Sequence, residues 1–419
     1  MDKLNDFLSG SLLPFLLISS GLFFAIKLKF FYIFQPIKSL KSMLKGQGGF
    51  KSLSVALAGT LGIGNIVGVA SAISLGGAGS IFWMWISAFF AMSLKYAEVV
   101  LAMVHRRNEG GKFHGGAPYY INDGLKDKLG KKPAYFLSCA FAVFCAINSL
   151  TTGNLVQISS VAKILPINSL LFGIIIALFV FLCTFGGFKQ IERITSFLIP
   201  ALTFVYTLLC IVIILKSINK IPHLFETIFK DAFAYRSAVS GFCGYGIASS
   251  IRYGVSRGVL SNEAGCGTSP CAHASSSCSS AHAQGCLGIL EVFVDTILLC
   301  SLSAFVILLN GIPGLSSMEL VLFSFEAGLG RMCANTVSFL CIMFAFATVI
   351  TQYFYGEESI KYISHKAYII NIFKMLFCFI IVVASVIPMW LMWEISDFAL
   401  SVMTIINIIC LLLLRKNIK

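Results

Sequence analysis

Charge is the first scarcity. Only 12% of the 419 residues carry a charge and 58% are hydrophobic, whereas a soluble domain has about 25% charged and roughly 45–50% apolar residues. No water-soluble core needs that much apolar sequence, which excludes a soluble enzyme or binding module as a description of the whole chain. Pro-rich or Ser-rich linkers and short repeats are missing, so one membrane domain is the simplest organisation. There are no CxxC pairs, and the six histidines show no ligand spacing, so the pattern supports neither zinc nor any cofactor. A nucleophile paired with a base is missing too, which argues against an enzyme. The 14 cysteines lie mostly inside apolar runs and read as small buried hydrophobes, not as disulfides.

Acidic residues are also in deficit, 18 against 31 basic ones, for a formal charge of +13. Nucleic-acid binding is the soluble reading of such a surplus. Here the positive residues sit in loops between apolar runs, the pattern of the positive-inside rule, and no nucleic-acid partner is expected.

What the chain has is apolar length. Windows of about 20 residues give about eleven candidate spans, near residues 7–28, 53–76, 79–104, 135–165, 168–187, 195–215, 238–275, 286–309, 333–355, 367–387 and 391–414. Asp2 and Asp6 precede the first, without a clear cleavage site, so it reads as a retained span and not a signal peptide. Lys38, Lys41, Lys45 and Lys51 follow the first span, and Arg106, Arg107, Lys112, Lys126, Lys128, Lys131 and Lys132 follow the third. Both loops are expected on the cytoplasmic side. The N-terminus then falls outside and the C-terminus, with Arg415, Lys416 and Lys419, inside. From Lys220 to Arg236 both signs mix with Phe225, Phe229 and Phe233, a spacing that predicts an amphipathic helix on the outer surface.

Two spans carry helix-breaking sequence. Gly59-Thr60-Leu61-Gly62-Ile63-Gly64-Asn65-Ile66-Val67-Gly68 lies in the middle of the second span. Close helix packing is one reading of such glycines. The glycines keep no single face, however, and Asn65 needs protein or a water-lined cavity at that depth, which predicts an unwound segment. The seventh span holds Ser261-Asn262-Glu263-Ala264-Gly265-Cys266-Gly267-Thr268-Ser269-Pro270, where Pro270 removes a donor and the glycines loosen the turn. Glu263 reads equally as a site residue or as the ion-pair partner of Arg252 or Arg257. Gln157 in the fourth span suits a substrate contact or a helix–helix bond. Lys95 and Glu98, three apart, are expected to pair. Asp295 and Asp397 read as proton or ion sites or, more simply, as buried groups with structural partners.

Six segments in order carry a family resemblance: GTLGIGNIVGVASAI from Gly59, IFWMWISAFFAMSLKYAEVVLA from Ile81, GGAPYYI from Gly115, GNLVQ from Gly153, IRYGVSRGVLSNEAGCG from Ile251 and FAFATVITQYFYGE from Phe344. The chain resembles the alanine or glycine:cation symporters, the sodium:alanine symporter family. The resemblance implies an all-α polytopic protein of the leucine-transporter-like fold. An extra first helix and loop (1–52) would precede two inverted five-helix repeats (53–216 and 217–419), with the second and seventh helices broken. It implies a transporter in a prokaryotic cell membrane that moves a small neutral amino acid with sodium by alternating access, with proton coupling as the alternative. No obligate protein partner is indicated.

Carried over motif by motif, the implied substrate contacts are Gly62, Ile63, Gly64, Asn65, Gln157, Asn262, Gly265 and Gln352. The implied sodium ligands are Gly59, Gly62 and Thr348, and Glu263 and Arg257 are candidates for gating or coupling. Three positions depart from the family pattern: Ile63 replaces a threonine, Ala347 a serine and Gln352 a tryptophan. The Gln352 departure therefore implies a more polar pocket, expected to favour serine, glutamine or a similar polar neutral amino acid over alanine, with glycine also accommodated.

Overall fold

The computed structural model describes residues 8, 12–35, 49–162, 164–165, 167–233, 246–315, 317–387 and 389–418, with only the backbone of 49 and 389–395. Lys38, Lys41, Lys45, Arg236, Lys419 and the first part of the expected seventh span lie outside these residues. The helices are α1 (Leu13–Lys27), α2 (Gly49–Thr60), α3 (Val67–Gly76), α4 (Ser80–Val104), α5 (Ala117–Leu129), α6 (Lys131–Leu150), α7 (Val156–Val161), α8 (Ser169–Thr184) and α9 (Gly187–Lys216). They continue with α10 (Ile221–Ala232), α11 (Ile247–Asn262), α12 (Pro270–Ala274), α13 (Ala281–Val292), α14 (Ser301–Asn310), α15 (Ser317–Leu329), α16 (Arg331–Ile363), α17 (Ala367–Val386) and α18 (Met389–Leu413).

A bilayer core of about 30 Å needs about 20 helical residues. Among the described residues seven helices are long and apolar enough, eight if the bent pair α2–α3 counts as one span. α1 and α8 are shorter apolar helices. The chain is a multi-pass helical membrane protein.

Small residues let the helices approach closely. α11 lies against α4, where a Cβ on Gly254 would fall 2.2 Å from the Ser80 carbonyl oxygen and one on Gly258 2.9 Å from Ser87 Oγ. Lipid tails are as apolar as leucine, so such packing, and not water exclusion, holds membrane helices together.

The two interruptions differ in form. α2 and α3 are bent by 63° across Leu61–Ile66. The second begins at Glu263, left-handed at φ 49°, and continues through Gly265 and Gly267, both also at positive φ. Pro270 then opens α12 instead of merely breaking a helix, because its missing N–H is not needed in a first turn. Two further segments are wound as π-helix, Thr151–Leu155 and Phe293–Cys300.

Some short elements escape a search for long apolar windows. The basic stretch after α4 folds into an antiparallel hairpin, β1 (Arg107–Glu109) with β2 (Lys112–His114), followed by α5. The amphipathic helix is present as α10, with Phe225 and Phe229 against Phe82, Trp85 and Phe305. Asp231 accepts the Gly79 N–H at 2.9 Å, and the Trp83 indole donates to the Ala232 carbonyl at 3.2 Å. α10 is thereby fixed to the start of α4.

Candidate substrate and ion site at the helix breaks

The unwound α2–α3 segment exposes backbone groups, and buried side chains answer them. The Gly62 N–H donates to Asn65 Oδ1 at 3.1 Å and the Ile63 N–H to Gln157 Oε1 at 3.0 Å. These are orphan donors at the start of the second half-helix, where the dipole favours negative charge. Thr348 Oγ1 donates to the Leu61 carbonyl at 3.4 Å, and Gln352 Nε2 to the Gly59 carbonyl at 3.4 Å. Carbonyl and hydroxyl oxygens from α2 and α16 thus face one another. A Cβ on Gly62 would meet Thr348 Oγ1 at 2.6 Å and Gln157 Oε1 at 2.7 Å, and one on Gly59 would meet the Tyr355 hydroxyl at 2.7 Å.

The side chain of Asn65 points the other way. Its Nδ2 donates to Asp295 Oδ1 at 2.7 Å and to the Asp295 carbonyl at 3.0 Å. Asp295 Oδ2 accepts from Ser261 Oγ and Thr296 Oγ1, both at 2.8 Å. The π-wound stretch Phe293–Cys300 presents this carboxylate to both breaks, and Gly64 lies beside Ser261, whose Cα would be 3.2 Å from an added Cβ.

Glu263, buried at the second break, ties that break to the first cluster. Gln352 Nε2 donates to its Oε1 at 2.6 Å, and the Thr268 hydroxyl donates to its Oε2. Arg252 and Arg257 act electrostatically on Asp397 of α18. Three polar groups in this region have no hydrogen-bond partner among the described residues: Gln352 Oε1, the Tyr355 hydroxyl and Thr152 Oγ1. Buried polar atoms seldom stay unpaired, so these three hold hydrogen-bonding capacity that the described residues do not use. A small cavity lined by Thr268, Tyr355, Phe141 and Cys145 extends from here to Gly115, Glu358 and Ser359.

The structure brings Gly59, Gly62, Ile63, Gln157, Thr348, Gln352 and Glu263 together. Asn65 and Gly64 face the Asp295 side. Asn262 also joins the Asp295 side, accepting the Ala264 N–H and donating to Thr296 Oγ1, while Gly265 is placed elsewhere, its N–H donating to Glu98 Oε2. Asn407 Nδ2 donates to the Gly265 carbonyl and to Glu98 Oε1.

Lys95 corrects the expected Lys95–Glu98 pair. Its ammonium bonds Ser269 Oγ at 2.7 Å and Glu291 at 3.3 Å. Spacing on a helix sets which residues are neighbours, but side chains take the partner that other helices supply.

The sequence pattern that defines the sodium:alanine symporter family matches residues 1–419. The chain is 36% identical to the sodium/alanine symporter AgcS of Methanococcus maripaludis, over 99% of this chain and 94% of that one. It is 34% identical to the uncharacterized transporter YflA of Bacillus subtilis, over 100% and 91%. It is 30% identical to the probable sodium/glutamine symporter GlnT of the same organism, over 98% and 87%. A manganese transporter of Eremococcus coleocola shares the fold at a TM-score of 0.54 and 12% identity, over 88% of this chain and 76% of that one. Full-length coverage by a family of transporters sets the chain among transporters and not enzymes: it belongs to the sodium:alanine symporter family.

Proposed function

We propose that this protein is a sodium:amino acid symporter that imports a small, polar, neutral amino acid across a prokaryotic cell membrane by alternating access. One observation carries the reading: the Gly59–Asn65 break sets amide donors and carbonyl oxygens side by side, answered by side chains and not by helix bonds, with Gln157, Thr348 and Gln352 facing them. Irregular backbone at that depth is tolerated where it lines a site. The Gln157 amide oxygen on the Ile63 N–H stands where a substrate carboxylate oxygen would be received. The carbonyls of Gly59 and Leu61 with the Thr348 hydroxyl offer the hard oxygens that sodium takes, and Gly62 leaves the room they need. Gln352 Oε1 and the Tyr355 hydroxyl, unpaired, suit a polar side chain such as that of serine or glutamine, the latter in keeping with the relative named for glutamine.

In this reading the chain comprises an extra first helix (1–52) and two inverted repeats (53–216 and 217–419), with the N-terminus outside and the C-terminus cytoplasmic. Glu263 couples the two breaks through Gln352 and Thr268. Proton coupling is the second reading, favoured by the buried Glu263 and Asp295 carboxylates between the breaks. Uptake of labelled alanine, glycine, serine and glutamine into proteoliposomes, with and without an inward sodium gradient, tests the proposal. Uptake that ignores the sodium gradient for all four would refute it.

A further inference from the structure

A second buried polar chain lies outside the candidate site and runs from the second break to the first turn of α2. Lys95 Nζ donates to Ser269 Oγ at 2.7 Å and pairs with Glu291 Oε1 at 3.3 Å. His273 Nε2 lies 2.9 Å from Glu291 Oε2. Gln284 Nε2 lies 2.7 Å from His273 Nδ1 and donates to Ser52 Oγ at 2.8 Å. All six side chains are fully buried. Ser269 and His273 sit at α12, just after the second break, and Ser52 lies in the first turn of α2, next to exposed Lys51.

Charge and donor accounting make His273 the centre of this chain. Glu291 is buried between the Lys95 ammonium and the His273 ring, with one oxygen on each. Buried charges are costly unless paired, and Glu291 is the carboxylate with which an imidazolium would pair. Glu291 accepts at Oε2, so His273 Nε2 carries a hydrogen. Nδ1 then accepts from the Gln284 amide, which leaves Gln284 Oε1 without a hydrogen-bond partner among the described residues. A rotation of that amide by about 180° exchanges its oxygen and nitrogen. The oxygen would then accept from a protonated Nδ1 and from the Ser52 hydroxyl. The site therefore offers the ring one hydrogen-bond pattern when neutral and another as the imidazolium, and Gln284 is the element that switches.

We propose that His273 is a proton-binding site, separate from the substrate and sodium site, whose occupancy controls transport. A proton from water forms an N–H bond at Nδ1, the Gln284 amide turns, and no other covalent bond changes. The imidazolium then competes with Lys95 for Glu291, and Lys95 and Glu291 both bear on Ser269, the residue before α12. Protonation is thus read by the segment that follows the second break. Of the charged and titratable groups, Glu291 on α13 touches the ring; Lys95 on α4 meets Glu291 and has Glu98 and Glu263 about it, Tyr355 on α16 lies near Glu291, and Arg106 bonds the Ala274 carbonyl at the end of α12.

The test has two arms, and only the second rests on the symporter reading. In the first, nitrogen-15 NMR follows the histidine rings of the full-length protein from about pH 5 to about pH 9, with His273 assigned in a chain whose other five histidines are glutamine. The expected result is a shift from the Nε2–H tautomer to the imidazolium within that range, altered in Gln284→Leu. A ring that stays neutral throughout overturns the proposal. In the second, sodium-driven uptake is measured over the same range. Wild type should vary several-fold, and His273→Gln should be flat. Identical profiles for the two overturn the controlling role. Failure of wild type to take up any amino acid would sink the symporter reading alone, because the spectra still decide whether the site binds a proton.

Discussion

Gln352 Nε2 lies 2.6 Å from Glu263 Oε1, a bond between a middle turn of α16 and the left-handed residue that ends α11. The amide at this position thus holds a carboxylate, and its free oxygen is what remains to greet a ligand. Removing it changes two things at once. Gln352→Leu deletes a hydrogen bond to a charged group, of the order of 1.5–3 kcal/mol, and leaves Glu263 with Thr268. Uptake should fall at least about tenfold while the protein still purifies as a monodisperse species. Gln352→Trp should move the preference from serine or glutamine toward alanine or glycine in a competition assay. Identical rankings for wild type and Gln352→Trp would remove residue 352 from the pocket.

Thr348→Ala tests the oxygen set proposed for sodium. Its hydroxyl is the side-chain oxygen facing the Leu61 carbonyl. The sodium concentration for half-maximal uptake should rise about tenfold or more, equivalent to about 1.4 kcal/mol, with little change in melting temperature. Sodium dependence that stays the same would place the ion elsewhere.

Gly62→Ala tests the spacing at the break. The added methyl would lie 2.6 Å from Thr348 Oγ1 and 2.7 Å from Gln157 Oε1, and overpacking of this kind costs about 1–3 kcal/mol. Amino-acid uptake should be lost while the variant still inserts and purifies. Gly68→Ala, where no atom lies within 4 Å of the added Cβ, serves as the control and should transport normally.

The pairing of His114 with Glu358 predicts a pH dependence. His114 Nδ1 lies 2.6 Å from Glu358 Oε2, and Lys361 Nζ lies 2.9 Å from Glu358 Oε1. The hydrogen bond to Glu358 raises the His114 pKa above the ordinary histidine value. A raised folded-state pKa stabilises the fold fully below the unfolded value of about 6.5, and that contribution is lost as pH rises through the folded value. The melting temperature in detergent should therefore fall as pH rises from about 6 to about 9, and His114→Gln should remove that part of the slope. An unchanged slope in the variant would show that this pair does not matter to stability.

Much of the fold could be read from the sequence because a bilayer imposes a simple demand, and long apolar windows meet it. The first break was legible from glycines that share no face around Asn65, and the second from Gly265, Gly267 and Pro270. The elements that escaped reading lack such a signature. α5, α15 and the β1–β2 hairpin are too short or too polar to register as spans, and a π-wound turn has the composition of any helix. Lys95 found Glu291, on a helix far along the chain, because helix packing brings the two together where an i,i+3 rule cannot see it. Asn262 and Gly265 sit at the second break, as the sequence led one to expect, yet their polar groups are engaged by Thr296, Glu98 and Asn407. Position along a motif does not fix direction in space.

The fastening of α10 to α4 through Asp231–Gly79 and Trp83–Ala232 makes the short helix a rider on the long one. A Cβ on Gly79 would fall 2.3 Å from the Ala232 nitrogen, so the joint has no slack in which the two could slip. α4 also carries Lys95 and Glu98 into the core, so a tilt that rearranges those groups must swing α10 with it. The exposed face of α10, where Phe229 projects, is in effect a pointer whose angle displays at the protein's edge what happens near its centre.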